Sequence, residues 1–428
     1  MDGLDWTPYI PLIAAVIGGL FVFFAYISRD LYRGLVKRII RTRVSWASRN
    51  KANARAQRYC IQALRSDNLA DRFDRSKAAE LLGEIGYQDS VEVLIRALIY
   101  DDYDIQRAAA NALGNMSFSI PTSDYVEDKL IDALMSENAG VRDAAATALG
   151  NLGSLKAVDF LNRTLKDVEW YVRRDAAQTL GKIGGSRSAQ YLILSLEDSD
   201  ADVRIAAAKA LGDMAETNKS SPTARALDQA GAPLTRLLND LDPRVREEGA
   251  VSLGKIGDSL AWSPLVSRLS NDIEPAVRAE AAISLGKIKA ASAIEALICS
   301  LKNDGDSGVR SSTADALGEI GHWAPITPLC DALQDQDLAV QMAAAHALGK
   351  IKGAGAISAI TCLIEALRSP ALHVRTEAAK ALGEIGGPAE EPLRQLLKDE
   401  KDPEVRKLAE DVALPKIISK RYYPPPQA

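Results

Sequence analysis

Residues 242–258, DPRVREEGAVSLGKIGD, decide the architecture. Val245, Gly249, Ala250, Leu253 and Ile256 fall at offsets 0, 4, 5, 8 and 11, which is one face of an α-helix and no strand period. The Asp-Pro opening starts such a helix: the Asp242 oxygen caps free amides, and Pro243 stands where an N–H needs no partner. The Ile-Gly at the far end stops it, because Gly257 adopts the left-handed cap conformation at little cost.

The phrase occurs ten times in altered form. Its Leu-Gly step places a glycine at Gly83, Gly114, Gly150, Gly181, Gly212, Gly254, Gly286, Gly318, Gly349 and Gly383, at intervals of 31, 36, 31, 31, 42, 32, 32, 31 and 34 residues. A period of this length predicts a solenoid of helical hairpins. The quoted helix is the second of each pair. The first is the preceding segment of similar apolar spacing, such as APLTRLLND or AIEALICSLKND, and acid-rich turns such as NDIEPAVR and EDSDADVR join the two. Small residues at offsets 4, 5 and 7, for example Ala145, Ala146 and Ala148, let neighbouring second helices approach closely and put them on the inner side of a curved stack. At about 8–10 Å per packed helix the expected array is on the order of 100 Å long. Such an array offers a surface rather than a pocket. Aromatic residues make up only 5% of the chain, in keeping with an all-α protein packed through Ala and Leu.

One polar position recurs as regularly as the apolar ones. Arg75, Arg142, Arg173, Arg204, Arg246, Arg278, Arg310 and Arg375 occupy the second position of the phrase, with Gln106 and Gln341 in the other two copies. An acid or amide usually stands four residues earlier, as at Asp242, Glu274 and Asp306. A planar guanidinium with five donors can bridge carboxylates and carbonyls of consecutive turns, so these residues are expected to form a structural ladder.

The unit D-x-x-VR-x-x-AA-x-ALG-x-IG resembles a HEAT repeat, in the short HEAT-like form shared by phycobilin lyase subunits, deoxyhypusine hydroxylases and many prokaryotic scaffold proteins. The resemblance covers residues 67–414 and implies an α-solenoid. In the last copy Glu410 and Leu414 replace the expected Ala and Gly, as suits a terminal helix facing water. The hydroxylase branch implies paired His-Glu steps for iron. No His here precedes a Glu, so neither that activity nor its metal is expected. The bilin lyase branch implies holding an open-chain tetrapyrrole, and it stands as the alternative function.

The front of the chain differs in kind. From Tyr9 to Ile27 nineteen residues carry no charge, close to the roughly 20 that span a hydrocarbon core. Asp2 and Asp5 before it and YISRDLYR after it do not fit a cleaved signal peptide. Ten Lys or Arg follow within residues 29–58, among them Arg29, Arg33, Lys37, Arg38, Arg41 and Arg43, against Asp30 alone. The expectation is one transmembrane helix with the N-terminus outside and the repeats cytoplasmic, the basic collar fixing topology or meeting anionic lipid. Residues 1–60 sum to +7 (ten basic, three acidic), which leaves −12 of the total −5 to the rest, so nucleic acid ranks last among partners. Cys60, Cys299, Cys330 and Cys362 form no CxxC pair. They are expected as free thiols, without a zinc site or disulfide framework, in a reducing compartment.

The expected organisation is therefore a membrane anchor at 1–28, a basic helical segment at 29–66, a solenoid at 67–414 and a Pro-rich tail at 415–428. The two long intervals are expected to be loops, on a binding face or as tolerated slack. On the second helices the sixth and tenth positions after Val should be exposed. Val251 and Ile283 are apolar there and each precedes a Lys, so Val251, Lys255, Ile283 and Lys287 could frame a groove for an acidic helix or peptide, with Gln178 and Lys182 as further contact candidates. No phosphate loop or catalytic motif is present, and no cofactor is expected. The sequence reads as a membrane-anchored scaffold that binds protein partners.

Overall fold

The structure, a computed structural model, describes residues 54–65, 72–86, 88–116, 120–217, 222–321, 326–351, 355–415 and 417. These are helical throughout, with no strand among them. The expected membrane span, the basic residues Arg29 to Arg43 and almost all of the Pro-rich tail lie outside the described residues. Among those described, no helix is long and apolar enough to cross a membrane.

The chain divides into two compact units, residues 1–183 and 184–428, a division that the repeat pattern did not indicate. In the first unit, first helices α1 (Ala54–Arg65), α3 (Val91–Tyr100), α5 (Ile120–Ala133) and α7 (Val158–Thr164) alternate with second helices α2 (Arg72–Ile85), α4 (Tyr103–Asn115), α6 (Ala139–Leu152) and α8 (Trp170–Ile183). In the second unit, α9 (Ser186–Ser195) leads to α10 (Ala201–Thr217), α11 (Pro222–Leu227), α12 (Gly231–Leu237) and α13 (Pro243–Ile256). The hairpins continue with α14 (Trp262–Asn271), α15 (Pro275–Lys287), α16 (Ile294–Asn303), α17 (Ser307–Ile320), α18 (Ile326–Ala332) and α19 (Leu338–Lys350). Then come α20 (Ala356–Ala366), α21 (Leu372–Ile385), α22 (Glu390–Asp399) and α23 (Pro403–Leu408). Within each unit successive second helices pack side by side in one layer, and neighbouring first helices meet in the other.

The repeat residues explain the layers. Val245, Ala250 and Leu253 of α13 are fully buried, as are Val277, Ala281, Ala282 and Leu285 of α15. Truncating one such Leu to Ala costs about 2–5 kcal/mol. The Leu-Gly glycine is a contact point between helices. A Cβ on Gly286 would lie 2.8 Å from Cα of Ala316, and one on Gly114 would lie 2.5 Å from Cα of Ala148. Where the facing small residue carries a hydroxyl, the hydroxyl donates across the seam: Ser252 to the Ala208 carbonyl at 2.8 Å and Ser284 to that of Ala250 at 2.7 Å. The helix ends follow the turn chemistry. Asp242, Asp306 and Asp337 accept amides of the helices they precede, and Gly257 ends α13 at φ 79°. Lys289 occupies the equivalent position after α15 at φ 51°, where Gly86, Gly153, Gly184, Gly321 and Gly386 stand in other copies, also at positive φ.

Three expectations need correction. The 42-residue interval is not only a loop: α10 runs on to Thr217, and the short helix α11 packs against α9. In the 36-residue interval α5 starts at Ile120, so half of the expected insertion extends a first helix. Finally, Cys330 of α18 and Cys362 of α20 form a disulfide, with Cα atoms 5.7 Å apart, so the cysteines give no support to the reducing compartment expected from free thiols. Their separation of 32 residues is one repeat, which sets them on facing sides of adjacent first helices; a search for short local spacings does not detect such a pair. Cys60 and Cys299 are free, and burial pushes the Cys60 thiol up to about 12.

Candidate functional site

The turns between first and second helices carry the most regular polar geometry. In the second unit, Asp240 accepts both Nε and Nη2 of Arg204, at 2.8 and 2.9 Å. The Asp240 carbonyl accepts Nη1 of Arg246 at 3.0 Å, and Arg246 reaches Asp272 with its other two nitrogens at 2.8 and 2.7 Å. The pattern repeats through Arg278 on Asp304 (2.7 and 2.8 Å) and Arg310 on Asp335 (2.8 and 2.8 Å). It ends where Gln341 Nε2 donates to the Asp335 carbonyl at 2.6 Å. Each guanidinium thus joins a carbonyl of its own turn to the carboxylate of the next repeat.

In the first unit Arg142 holds Asp167 at 2.6 and 2.7 Å, and Arg173 donates to the Asp167 carbonyl at 2.8 Å. Arg375 donates to the Ser369 carbonyl at 2.9 Å and pairs with Glu404.

The acid that usually stands four residues before the Arg is not its ladder partner. Asp242 and Asp306 cap their helices, while the ladder uses the acid two places earlier in the following copy. That carboxylate also accepts the turn amide two residues on, at 2.9 Å for Asp240 and 3.1 Å for Asp272. Burial disfavours ionisation of Asp272 and Asp304, but the Arg246 and Arg278 bonds and the turn amides outweigh it and hold both below the usual carboxylate range. A signal for this pairing stands in the sequence: Gln106 and Gln341, the two copies without Arg, are followed by Ser136 and Ser369 at the acid's position. With donors and acceptors this closely matched, the ladder holds repeats together and offers no reactive group.

The second-helix face carries the groove candidates. Val251 and Ile283 are half-buried, and Lys287 is exposed. Lys255 does not stand free beside them, because its Nζ lies 2.5 Å from Asp213 of α10. Similar bonds cross the seam at Lys350 with Glu319 (2.5 Å) and His346 with Asp315 (3.2 Å). Glu248 and Glu280 flank the apolar pair, and burial raises both carboxyls against the pull of nearby lysines. Gln178 and Lys182 belong to the first unit and the other four candidates to the second. Gln178 is exposed, and Lys182 lies 3.5 Å from Asn151, which donates to Asn115 at 3.1 Å.

On the same face of the first unit, Asp143 of α6 meets Asp175 of α8. Burial, then the carboxyl–carboxyl hydrogen bond and the charge of Asp175, push Asp143 up to about 7. When both are ionised, the buried Oδ1 of Asp143 has no donor. Among the described residues no group of three or more His, Cys, Asp or Glu could hold a metal ion.

Comparison with known proteins agrees with this architecture. A family model described as HEAT repeats matches residues 59–124, 127–212, 193–286, 231–318, 294–361 and 358–413. Yeast importin-beta, Kap95p, is similar in structure with TM-score 0.60 and 14% identity, over 85% of this chain and 57% of Kap95p. Kap95p in a study of its binding to RanGDP gives TM-score 0.59 and 14% identity, over 86% and 57% of the two chains. An engineered protein is 26% identical over 77% of this chain and 99% of its own, with TM-score 0.45. The chain therefore spans little more than half of Kap95p, and at 14% identity that likeness shows the fold alone. No curated protein matches the sequence. None of these matches is to a bilin lyase, and that alternative gains no support.

Proposed function

The chain belongs to the HEAT-repeat family, and on that premise we propose that it is a protein-binding scaffold held to the cytoplasmic face of a membrane by its N-terminus. The observation that carries the scaffold reading is the two-layer array itself. Its recurrent charged groups are spent on one another in the turn ladder, so what remains for function is extended helical surface. The structural neighbour Kap95p binds RanGDP, which supports the same use of this fold. The uncharged stretch 9–27 and the basic residues after it support the anchor, with anionic lipid as its secondary contact. Val251 and Ile283, half-buried beside exposed Lys287, are the proposed partner contacts on the second-helix face.

Full-length protein purified in mild detergent from its native membranes should carry a stoichiometric protein partner. Combined Val251→Asp and Ile283→Asp should weaken that association while leaving helical circular dichroism unchanged. A reporter fused after Ala428 should be cytoplasmic. Substrate turnover by the protein alone would defeat the scaffold reading, and a reporter on the opposite side would defeat the orientation.

A further inference from the structure

The turn ladder of the second unit has a gap, and the disulfide spans it. Arg204, Arg246, Arg278 and Arg310 each tie their turn to a carboxylate of the next repeat, and Arg375 does so with Glu404. Between the hairpins α18–α19 and α20–α21 the corresponding residues are Gln341 and Ser369. Gln341 spends its amide on the Asp335 carbonyl of its own turn, and Ser369 Oγ accepts the Ala371 amide at 3.3 Å. Among the described residues no ion pair joins 326–350 to 356–385. The Cys330–Cys362 bond joins these same two hairpins through their first helices. On the second-helix side the step is closed by packing: Leu348 of α19 and Leu382 of α21 are fully buried, and a Cβ on Gly349 would lie 2.8 Å from Cα of Ala381. The covalent bond therefore supplies the inter-repeat link that the turn lacks.

We propose that this bond is a redox-sensitive lock on the step between α18–α19 and α20–α21. Closed, it holds the two first helices together. Opened, it frees them to separate about the intact α19–α21 seam. Cys330 and Cys362 are half-buried, so a reductant can approach. A thiolate of a dithiol attacks one sulfur and displaces the other, and the second thiol of the reductant then releases the first from the mixed disulfide. The pair gains two electrons and two protons, and the dithiol leaves as a disulfide. Neither remaining cysteine diverts the exchange. Cys299 lines a cleft with Leu269 and Asn271 of α14, on the α14 side of its helix, and Cys60 is buried in the first unit with its thiol pushed up to about 12. The lock does not depend on the scaffold reading, since it is built from the chain's own residues.

The test compares full-length protein before and after treatment with dithiothreitol. Free thiols are trapped with iodoacetamide and located by peptide mass spectrometry, and hydrogen exchange is followed in α18 and α20. Cys330 and Cys362 should become alkylated together while helical circular dichroism is unchanged, and exchange in α18 and α20 should rise by at least about tenfold. Gln341→Arg/Ser369→Asp installs the missing rung and should cut that rise to about threefold or less. Gln106→Arg/Ser136→Asp makes the same change at the like gap of the first unit, which no disulfide spans, and should leave the rise as in the parent. Cys330→Ser/Cys362→Ser should exchange fast from the start and not respond to dithiothreitol. Sulfurs that resist reduction until the chain unfolds would make the bond a permanent staple and overturn the proposal. Reduction without faster exchange would also overturn it, as would an equal rise in the rung-restored variant. The alkylation and exchange readouts on the parent need no substitution, so they decide the matter even if a variant fails to fold.

Discussion

At Asp272 a carboxylate only 1% exposed accepts two bonds from an Arg246 side chain that is itself 11% exposed. Asp272→Ala strands that guanidinium, and the expected cost is about 3–5 kcal/mol in chemical denaturation, whereas replacing both partners with apolar residues of similar size should cost far less. The same carboxylates fix an acid limit. Asp272, Asp304 and Asp335 have folded-state pKa values below the ordinary 3.8, so their contribution is complete above that pH and is lost as pH falls through the depressed values. Asp143 works in the opposite direction. Its folded value is raised to about 7, so the folded protein binds a proton that the unfolded chain releases, and this group makes stability fall as pH rises from 3.8 to about 7. Asp143→Asn should therefore stabilise the protein above pH 7 and do little near pH 4; a melting-temperature gain that is equal at both would refute the carboxyl pair. The regular Arg was legible in the sequence because it repeats at one offset. Its partner was marked only indirectly, by Ser136 and Ser369 following Gln106 and Gln341, since most turns hold two nearby acids and the backbone decides which one caps the helix.

At the scale of the helix, glycine in the Leu-Gly step runs against propensity. Gly to Ala within an exposed helix stabilises it by up to about 1 kcal/mol, yet a methyl on Gly286 would press against Ala316 of α17. Gly286→Ala should thus destabilise the protein by about 1–3 kcal/mol in thermal or urea unfolding, and a stabilising result would mean that the two helices stand further apart. The helices, their order and their caps could be read from the period of 3.6 and the Asp-Pro and Ile-Gly ends, because those signals are local. The insert helix α11 could not be read, because SSPTARALDQAG has too few turns for a periodicity. The groove suggested by Val251 and Ile283 was legible as two apolar side chains, but the bond from Lys255 to Asp213 depends on a residue 42 positions away.

Across the whole molecule the contacts are short in sequence range. Within the second unit each second helix packs on its predecessor and successor, and the ladder likewise joins only adjacent turns. Stability of such an array is a sum of repeat and neighbour terms, so a perturbation should spread one or two repeats and fade. The Cys330–Cys362 disulfide provides a reversible way to test this, since it closes one repeat between α18 and α20. Removing it through Cys330→Ser/Cys362→Ser should cost about 2–4 kcal/mol, the scale for a loop of that length. Hydrogen exchange should then accelerate in α18 to α21 while α12 and α13 keep their protection. Uniform acceleration from α9 to α23 would instead reveal a single cooperative body, and the nearest-neighbour account would be wrong. The local outcome also bears on docking, because repeats that open independently let a surface adjust to a partner at one place without loosening the rest.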